Sequence, residues 1–469
     1  MNRQNEKQLL NTGDVLVVAF GAMIGWGWVV SSGQWITNGG IFGTTIGFII
    51  GGIMIYFVGL CYAELTTALP QCGGEHVFSY KAFGPIGAYI CTWSIILSYI
   101  GVVCYEAVSF PTILQYLFPN LAKGYLYTIA GFDIYLSWLL IAISMAILIL
   151  LLNIVGTKKA ARFQKILTCI IAGVGILLAA GSAFSGNVNN LQEQMFVGKS
   201  SGQIVENIIK VAIMTPFFFF GFDVIPQAAE EINVPLRKLG KMMVLSIVMA
   251  VTFYVMIVLS VGYVMNANQI SDSMSATGLV TADAMSIAFG STSMAKVLII
   301  GGLCGIVTSW NSFLIGGSRA LYSMAAAYML PRRFSTLHKK YNTPINALLL
   351  VGALSIVAPF FGRSMLVWIV DAGNFACCLA YCMVSMSFIV LRRREPDLKR
   401  PYKVKNYRAV GLIAVIMSGI MVAMYIIPGT NCTLVWQEWG IVGGWCLLGG
   451  IMAALSKMKY GDDFANHIE

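Results

Sequence analysis

Hydrophobic positions run in blocks of twenty or more residues along almost the whole chain, with short polar stretches between them. A helix needs about 20 apolar residues to cross the core of a bilayer. Hydropathy picks out about twelve such blocks. They fall at 14–36, 41–67, 86–113, 134–154, 162–184, 208–230, 240–264, 294–326, 345–361, 364–391, 409–427 and 436–455. The pattern predicts an all-α membrane protein with about twelve spans. The third, eighth and tenth blocks are long, which predicts tilt or projection into water. The longest connections, about 185–207 and 265–293, are predicted on the outer side, and no soluble domain interrupts the helices.

Composition agrees. The 469 residues are 58% hydrophobic and 11% charged, against roughly 25% charged in an average soluble domain. The net charge of +10 raises the question of a nucleic-acid partner, and its distribution answers it. With the N-terminus on the cytoplasmic side, 25 of the 30 Lys and Arg fall on that side, and only Lys123, Lys199, Lys210, Lys296 and Arg363 fall on the other. That is the positive-inside rule for twelve spans with both termini cytoplasmic. The basic run 392–408 reads as a topology anchor in a cytoplasmic loop, and no nucleic acid is expected. The polar opening "MNRQNEKQLLNTGD" has no apolar core followed by a cleavage site, so no signal peptide is expected. Most of the eleven cysteines fall within predicted helices without metal-ligand spacing and read as small packing residues.

Two blocks are interrupted. In the first, "GAMIGWG" places Gly21, Gly25 and Gly27 within seven residues. In the sixth, "TPFFFFGFDVIPQAAEE" carries Pro216, Gly221 and Pro226. Such interruptions leave backbone groups unpaired, which hydrocarbon tolerates only where protein or a water-lined cavity satisfies them. Blocks one and six are equivalent if blocks 1–5 and 6–10 form two repeats of opposite orientation. Paired breaks at equivalent positions point to a transporter's binding site. Glycines also permit close helix packing, and "GFIIGG", 47–52, fits that use better. The outer half of a broken first span would present free N–H groups suited to a carboxylate, and the outer half of the sixth would present free carbonyls suited to an ammonium.

Five segments resemble the amino acid–polyamine–organocation (APC) superfamily of permeases. They are "GAMIGWG"; "CYAELTTALPQCGGEHVFSYKAFGPIGAY", 61–89; "GFDVIPQAAEEINVPLRKL", 221–239; "SWNSFLIGGSRALYSMA", 309–325; and "LRRREPDLKRPYKV", 391–404. The resemblance implies a LeuT-type fold, a 5+5 inverted repeat with helices one and six broken, plus two peripheral helices. It divides the chain into a cytoplasmic segment 1–13, a transport core 14–391, a basic loop 392–408, helices eleven and twelve in 409–456, and a cytoplasmic tail 457–469. It also implies a secondary active carrier of amino acids or small amines in the cell membrane, a monomer or weak dimer. An amino acid exchanger and an amino-acid-sensing transceptor are the alternatives.

By the same resemblance, a substrate carboxylate meets the amides of Gly25, Trp26 and Gly27. Its amino group meets the carbonyls of Met23, Phe217 and Phe220, and Phe217 matches an aromatic gate. Ala22, Gly221 and Asp223 belong to the same site, with Asp223 biasing opening and closing. Trp26 departs from the small residue usual between those glycines and either closes one wall or packs on a scaffold helix. Trp28 reads as a packing or interface residue. Some relatives carry a proton on a lysine midway along helix five. Here Ile171 is placed at that position, and Lys165 lies too near the cytoplasm to replace it. A Na⁺ site at Gly21, Ile24, Gly305, Thr308 and Ser309 is the alternative coupling site, since hard oxygen ligands suit a hard cation. Ordinary hydrogen bonding of those hydroxyls to the preceding turn is the competing reading. The coupling ion is thus Na⁺ or H⁺, with no other cofactor.

Ionisable groups inside spans are functional by default. Glu106, in "VCYEAV", either pairs with a cationic part of a substrate or sits at the outer boundary bonded to a hydroxyl. Glu64 reads as gate-related or structural. Glu230 and Glu231 are placed at the inner mouth, able to pair with Arg237 or another cation there. Asp371 is expected to touch water. His76, His338 and His467 have no partners at catalytic spacing, so an enzyme is not expected.

Overall fold

The computed structural model describes residues 10–430 and 432–465. Arg3, Lys7 and His467 lie outside the described residues. The chain opens with α1 (Thr12–Met23), whose Asn11 and Asp14 close a reciprocal capping box at 3.1 Å each way. A break at Ile24–Trp26 follows, then α2 (Gly27–Val30) and α3 (Ser32–Ala68). Gly40, at φ 74°, interrupts α3 and divides it into a segment 32–39 and a segment 41–68. The amides of Ile41 and Phe42 there donate to the carbonyls of Gln194 and Met195, at 2.8 and 3.0 Å, which seals the corner with a distant loop.

The long helix α4 (Glu75–Leu117) is kinked at Gly84. A β-hairpin, β1 (Tyr125–Ile129) and β2 (Phe132–Tyr135), pairs antiparallel around Ala130 and Gly131, both at positive φ, as a two-residue hairpin turn requires. Then come α5 (Leu136–Ile154), α6 (Thr157–Ser185), the short α7 (Val188–Glu193) and α8 (Ser201–Met214). A 3₁₀ turn at Thr215–Phe219 leads through a second break to α9 (Val224–Gln227). The rest is α10 (Leu236–Val264), α11 (Ala267–Ala276), α12 (Val280–Phe289), α13 (Thr292–Ala326), α14 (Ile345–Val357), α15 (Gly362–Arg394), α16 (Tyr407–Ile426) and α17 (Trp436–Tyr460).

Among the described residues, ten segments are helical, long and apolar enough to cross a membrane. The chain is therefore a nearly all-helical multi-pass membrane protein. The stretch 265–293, read from sequence as a connection, folds into α11 and α12. Burial sorts the helices. The most apolar window of α13 is 94% buried, while that of α17 is 11% buried, so α13 runs through the centre and α17 along the edge. Gly47, Gly51 and Gly52 sit directly against Val211, Thr215 and Val251, and a methyl group at any of them would overlap its neighbour. This is close helix packing through small residues.

The basic run 392–408 does more than mark a side. Glu64, buried on α3, receives Arg392 Nε at 2.6 Å, Arg400 Nε at 3.2 Å and the Val404 amide at 2.7 Å. The loop is thus fastened to the core by a buried, multiply bonded carboxylate, the condition under which a buried ion pair holds.

Candidate functional site

At the first break, α1 ends at Met23 and the helix resumes at Gly27. Among the described residues, the amides of Gly25, Trp26 and Gly27 donate to no acceptor in the chain. They are the orphan donors of a helix start, displayed in mid-molecule. Two of the carbonyls at this break are taken up by side chains. Thr308 Oγ donates to the Gly21 carbonyl at 2.9 Å, and Tyr254 Oη donates to the Met23 carbonyl at 3.0 Å. The Met23 carbonyl, expected to meet an amino group, is therefore already engaged. Gly305 of α13 lies so close that a Cβ there would stand 2.8 Å from the Ile24 carbonyl oxygen and 2.5 Å from that of Gly25.

The second break is built differently. Gly221 adopts φ 129°, a conformation that favours glycine. Its amide donates to Asp223 Oδ1 at 2.8 Å. Tyr381 Oη donates to the same oxygen at 2.9 Å, and Tyr99 Oη to Oδ2 at 2.6 Å. Asp223 is 0% exposed and is the clasp of this break. The two breaks touch, since a Cβ on Gly221 would stand 2.6 Å from Ala22 Cβ and 3.1 Å from the Met23 amide.

A cavity of about 230 Å³ opens beside the contact. Of the residues singled out from sequence, Ala22, Met23, Gly25, Trp26, Gly27, Glu106, Phe217, Phe220 and Ser309 line it. Gly21, Ile24, Gly221, Asp223, Gly305 and Thr308 do not. Asp223 faces tyrosines instead, and the other five form the backbone seam behind the wall. Trp26 does both things considered for it, for its indole rests on Gly302 of α13 and also closes one side of the cavity. Trp28 is fully buried, edge-on to Phe253 at 5.4 Å between ring centroids, and is a packing residue.

Glu106 Oε1 and Ser309 Oγ converge on Gly25, at 3.4 and 3.9 Å from where its Cβ would be. Asp371, expected to face water, lines the cavity as well. The lining thus carries two acids and no Lys or Arg. Sequence reasoning missed Ser31, Tyr105, Phe218, Tyr254 and Phe313. All but Ser31 sit in ordinary apolar or aromatic runs with no local mark.

Behind the first break, Gly21 faces Gln164 and Thr168 of α6 and Thr308 of α13. Ile171, placed there from sequence, is a turn further along and packs in the core. Gln164 Nε2 donates to Ser312 Oγ at 2.7 Å and to the Val18 carbonyl at 3.3 Å, while its Oε1 accepts from Asn311 at 2.6 Å. An uncharged amide network ties α1, α6 and α13 together.

The end of the molecule carrying the basic loop is closed by another set of contacts. Arg319 Nε meets Glu231 Oε1 at 2.8 Å, and Arg319 Nη2 donates to Thr157 Oγ1 at 2.6 Å. Thr157 also donates to Glu231. The Leu10 amide donates to the Glu231 carbonyl at 2.8 Å, and Glu230 accepts from the Cys72 amide at 3.0 Å. Glu231 therefore pairs with Arg319, not with Arg237.

The family model described as "Amino acid permease" matches residues 10–451. The branched-chain amino acid permease BcaP of Bacillus subtilis is 26% identical over 87% of this chain and 86% of its own length. The methylthioribose transporter of the same organism is 24% identical over 96% and 94%. Its aspartate-proton symporter is 25% identical over 90% and 80%. A match over nearly the whole chain, on a membrane-spanning helical fold whose two broken helices meet at a cavity, makes this chain a transporter of the amino acid permease family, within the APC superfamily, and not an enzyme.

Proposed function

We propose that the chain is a secondary active transporter that carries amino acids or related small amines across the cell membrane by alternating access, with both termini cytoplasmic. The observation that carries this reading is the contact of the two breaks beside the cavity, with the Gly25, Trp26 and Gly27 amides free. Free amides at a helix start favour an anion, so the substrate carboxylate binds there. The amino group turns to the Phe220 carbonyl, because the Phe217 carbonyl accepts from the Phe220 amide at 3.4 Å. The arrangement is read as twelve spans in LeuT-type repeats. The ten long helices are joined by a first span formed from α1, α2 and the start of α3, and the Gly362 corner, at φ 69°, divides α14 from α15 into two spans.

A lining with Glu106 and Asp371 but no basic residue favours a substrate with a second positive charge. Glu106 is the partner for that charge, and lysine-, ornithine- or arginine-like substrates are the first to test. For coupling, Na⁺ is tested before H⁺. The Gly21 carbonyl accepts from the Thr308 hydroxyl, Gly21 faces the buried Thr168 hydroxyl, which has no hydrogen-bond partner among the described residues, and the Ile24 carbonyl lies against Gly305. Such oxygens suit a hard cation.

Uptake of labelled amino acids into proteoliposomes tests the whole reading. Saturable uptake that falls when choline replaces Na⁺ supports Na⁺ symport. Uptake unchanged by choline but driven by a pH gradient assigns coupling to H⁺. Counterflow without accumulation identifies an exchanger, and binding without counterflow a sensor.

A further inference from the structure

The contacts at the closed basic end enclose a second acidic group that the substrate site does not use. Glu75, at the start of α4, is 0% exposed. One carboxyl oxygen takes a hydrogen bond from Gln227 Nε2 at the end of α9. The Tyr62 hydroxyl of α3 lies beside the same carboxyl group as a second, poorly aligned donor. The charged and titratable groups around it are Tyr62 from α3, Asp223 from the second break, and Cys91 and Tyr99 from α4 itself. Tyr381 of α15 reaches the cluster through Asp223, and His76 beside it is turned to Thr92 at 3.0 Å. Arg319 of α13 is held by Glu231. Among the described residues, no ion pair involves Glu75. A carboxylate buried among neutral donors with no cation costs several kcal/mol, and as a carboxylic acid it avoids that cost.

The lid over Glu75 is the same short segment that forms the gate. The Gln227 carbonyl accepts from the Gly73 amide at 3.2 Å and from Cys72 Sγ at 3.2 Å. Gly74 rests on Pro226. Four residues on, Glu231 is fixed by Arg319.

We infer that Glu75 binds a proton that the closed cytoplasmic gate traps, so that opening the gate requires its release. This rests on the transporter reading and on the cytoplasmic placement of this end. When residues 224–231 swing away, Gln227 leaves Glu75, water reaches the carboxyl, and it ionises, giving its proton to the cytoplasm. Closing reverses both events. Acid on the cytoplasmic side therefore holds the gate shut, and alkali frees it. The site is separate from Glu106 and from any coupling ion behind Gly21.

The test is amide hydrogen exchange of residues 224–234 in the purified full-length chain across pH 5–9, corrected for the intrinsic pH dependence of exchange. It reads the gate without needing a transported substrate, so a failed uptake assay leaves it intact. The wild type is expected to lose protection at least fivefold as pH rises. Glu75→Gln, which cannot ionise, is expected to stay protected and flat. Glu75→Asp is expected to keep the pH dependence with a displaced midpoint, and it covers the case in which the Gln variant does not fold. A wild type with no pH dependence, a Glu75→Gln variant that keeps it, or a Glu75→Asp variant that loses it overturns the proposal.

Discussion

The two helix breaks touch beside the cavity and are made by opposite means. The first leaves the Gly25, Trp26 and Gly27 amides free, while Thr308 and Tyr254 hold its Gly21 and Met23 carbonyls. The second closes on itself, since Asp223 accepts from its own Gly221 amide and from two tyrosines, and it shows no free carboxylate to the cavity. On the proposed function, one break is a ligand surface and the other is a fastened joint. Substitutions at the first should therefore change affinity, and substitutions at the second should change stability and turnover.

The largest effect is expected at Gly221→Ala. The left-handed conformation and the overlap with Ala22 together destabilise by about 3 kcal/mol or more. Transport should vanish and the thermal unfolding midpoint should drop. A stable, active variant would remove the joint from the account. Next comes Tyr381→Phe, which takes one donor from a buried carboxylate and costs about 1.5–3 kcal/mol. Thermal unfolding should show the loss with substrate affinity nearly unchanged in the surviving protein. Glu106→Gln should leave stability intact and weaken binding of cationic amino acids about 30-fold or more, with neutral ones little affected. Competition binding with lysine and leucine reads that split, and equal losses for both would deny Glu106 its role. The smallest effect is expected from Thr308→Val, which removes one bond to the Gly21 carbonyl, worth about 1 kcal/mol. If Na⁺ couples transport, the same variant raises the Na⁺ concentration needed for half-maximal uptake.

Both breaks were legible because their cause is local. Glycine and proline interrupt a helix wherever they stand, and the spans themselves follow from apolar length. The helix Gly362–Arg394, for example, surrounds the block read as 364–391. Partners across the fold were not legible. Nothing near Asp223 announces Tyr99 or Tyr381, and the expectation of Arg237 or another cation for Glu231 did not single out Arg319. The facing position on the fifth span was missed for a geometric reason. The helix begins at Thr157, five residues before the apolar block, because polar residues at a membrane surface extend a span without adding hydropathy. The residues of α6 that face Gly21 are Gln164 and Thr168. The hairpin at 125–135 was missed because its turn, Ala130-Gly131, lacks the usual Asn or Asp.

The account stands most directly on one comparison of ligands. Purified full-length protein should be titrated with L-lysine and L-leucine, with their methyl esters, and with the amines left when the carboxylate is removed. Amides at Gly25–Gly27 that hold the carboxylate predict that at least one amino acid binds, and that its ester and amine bind at least tenfold more weakly. An amine or ester that binds as tightly as its parent amino acid would contradict it.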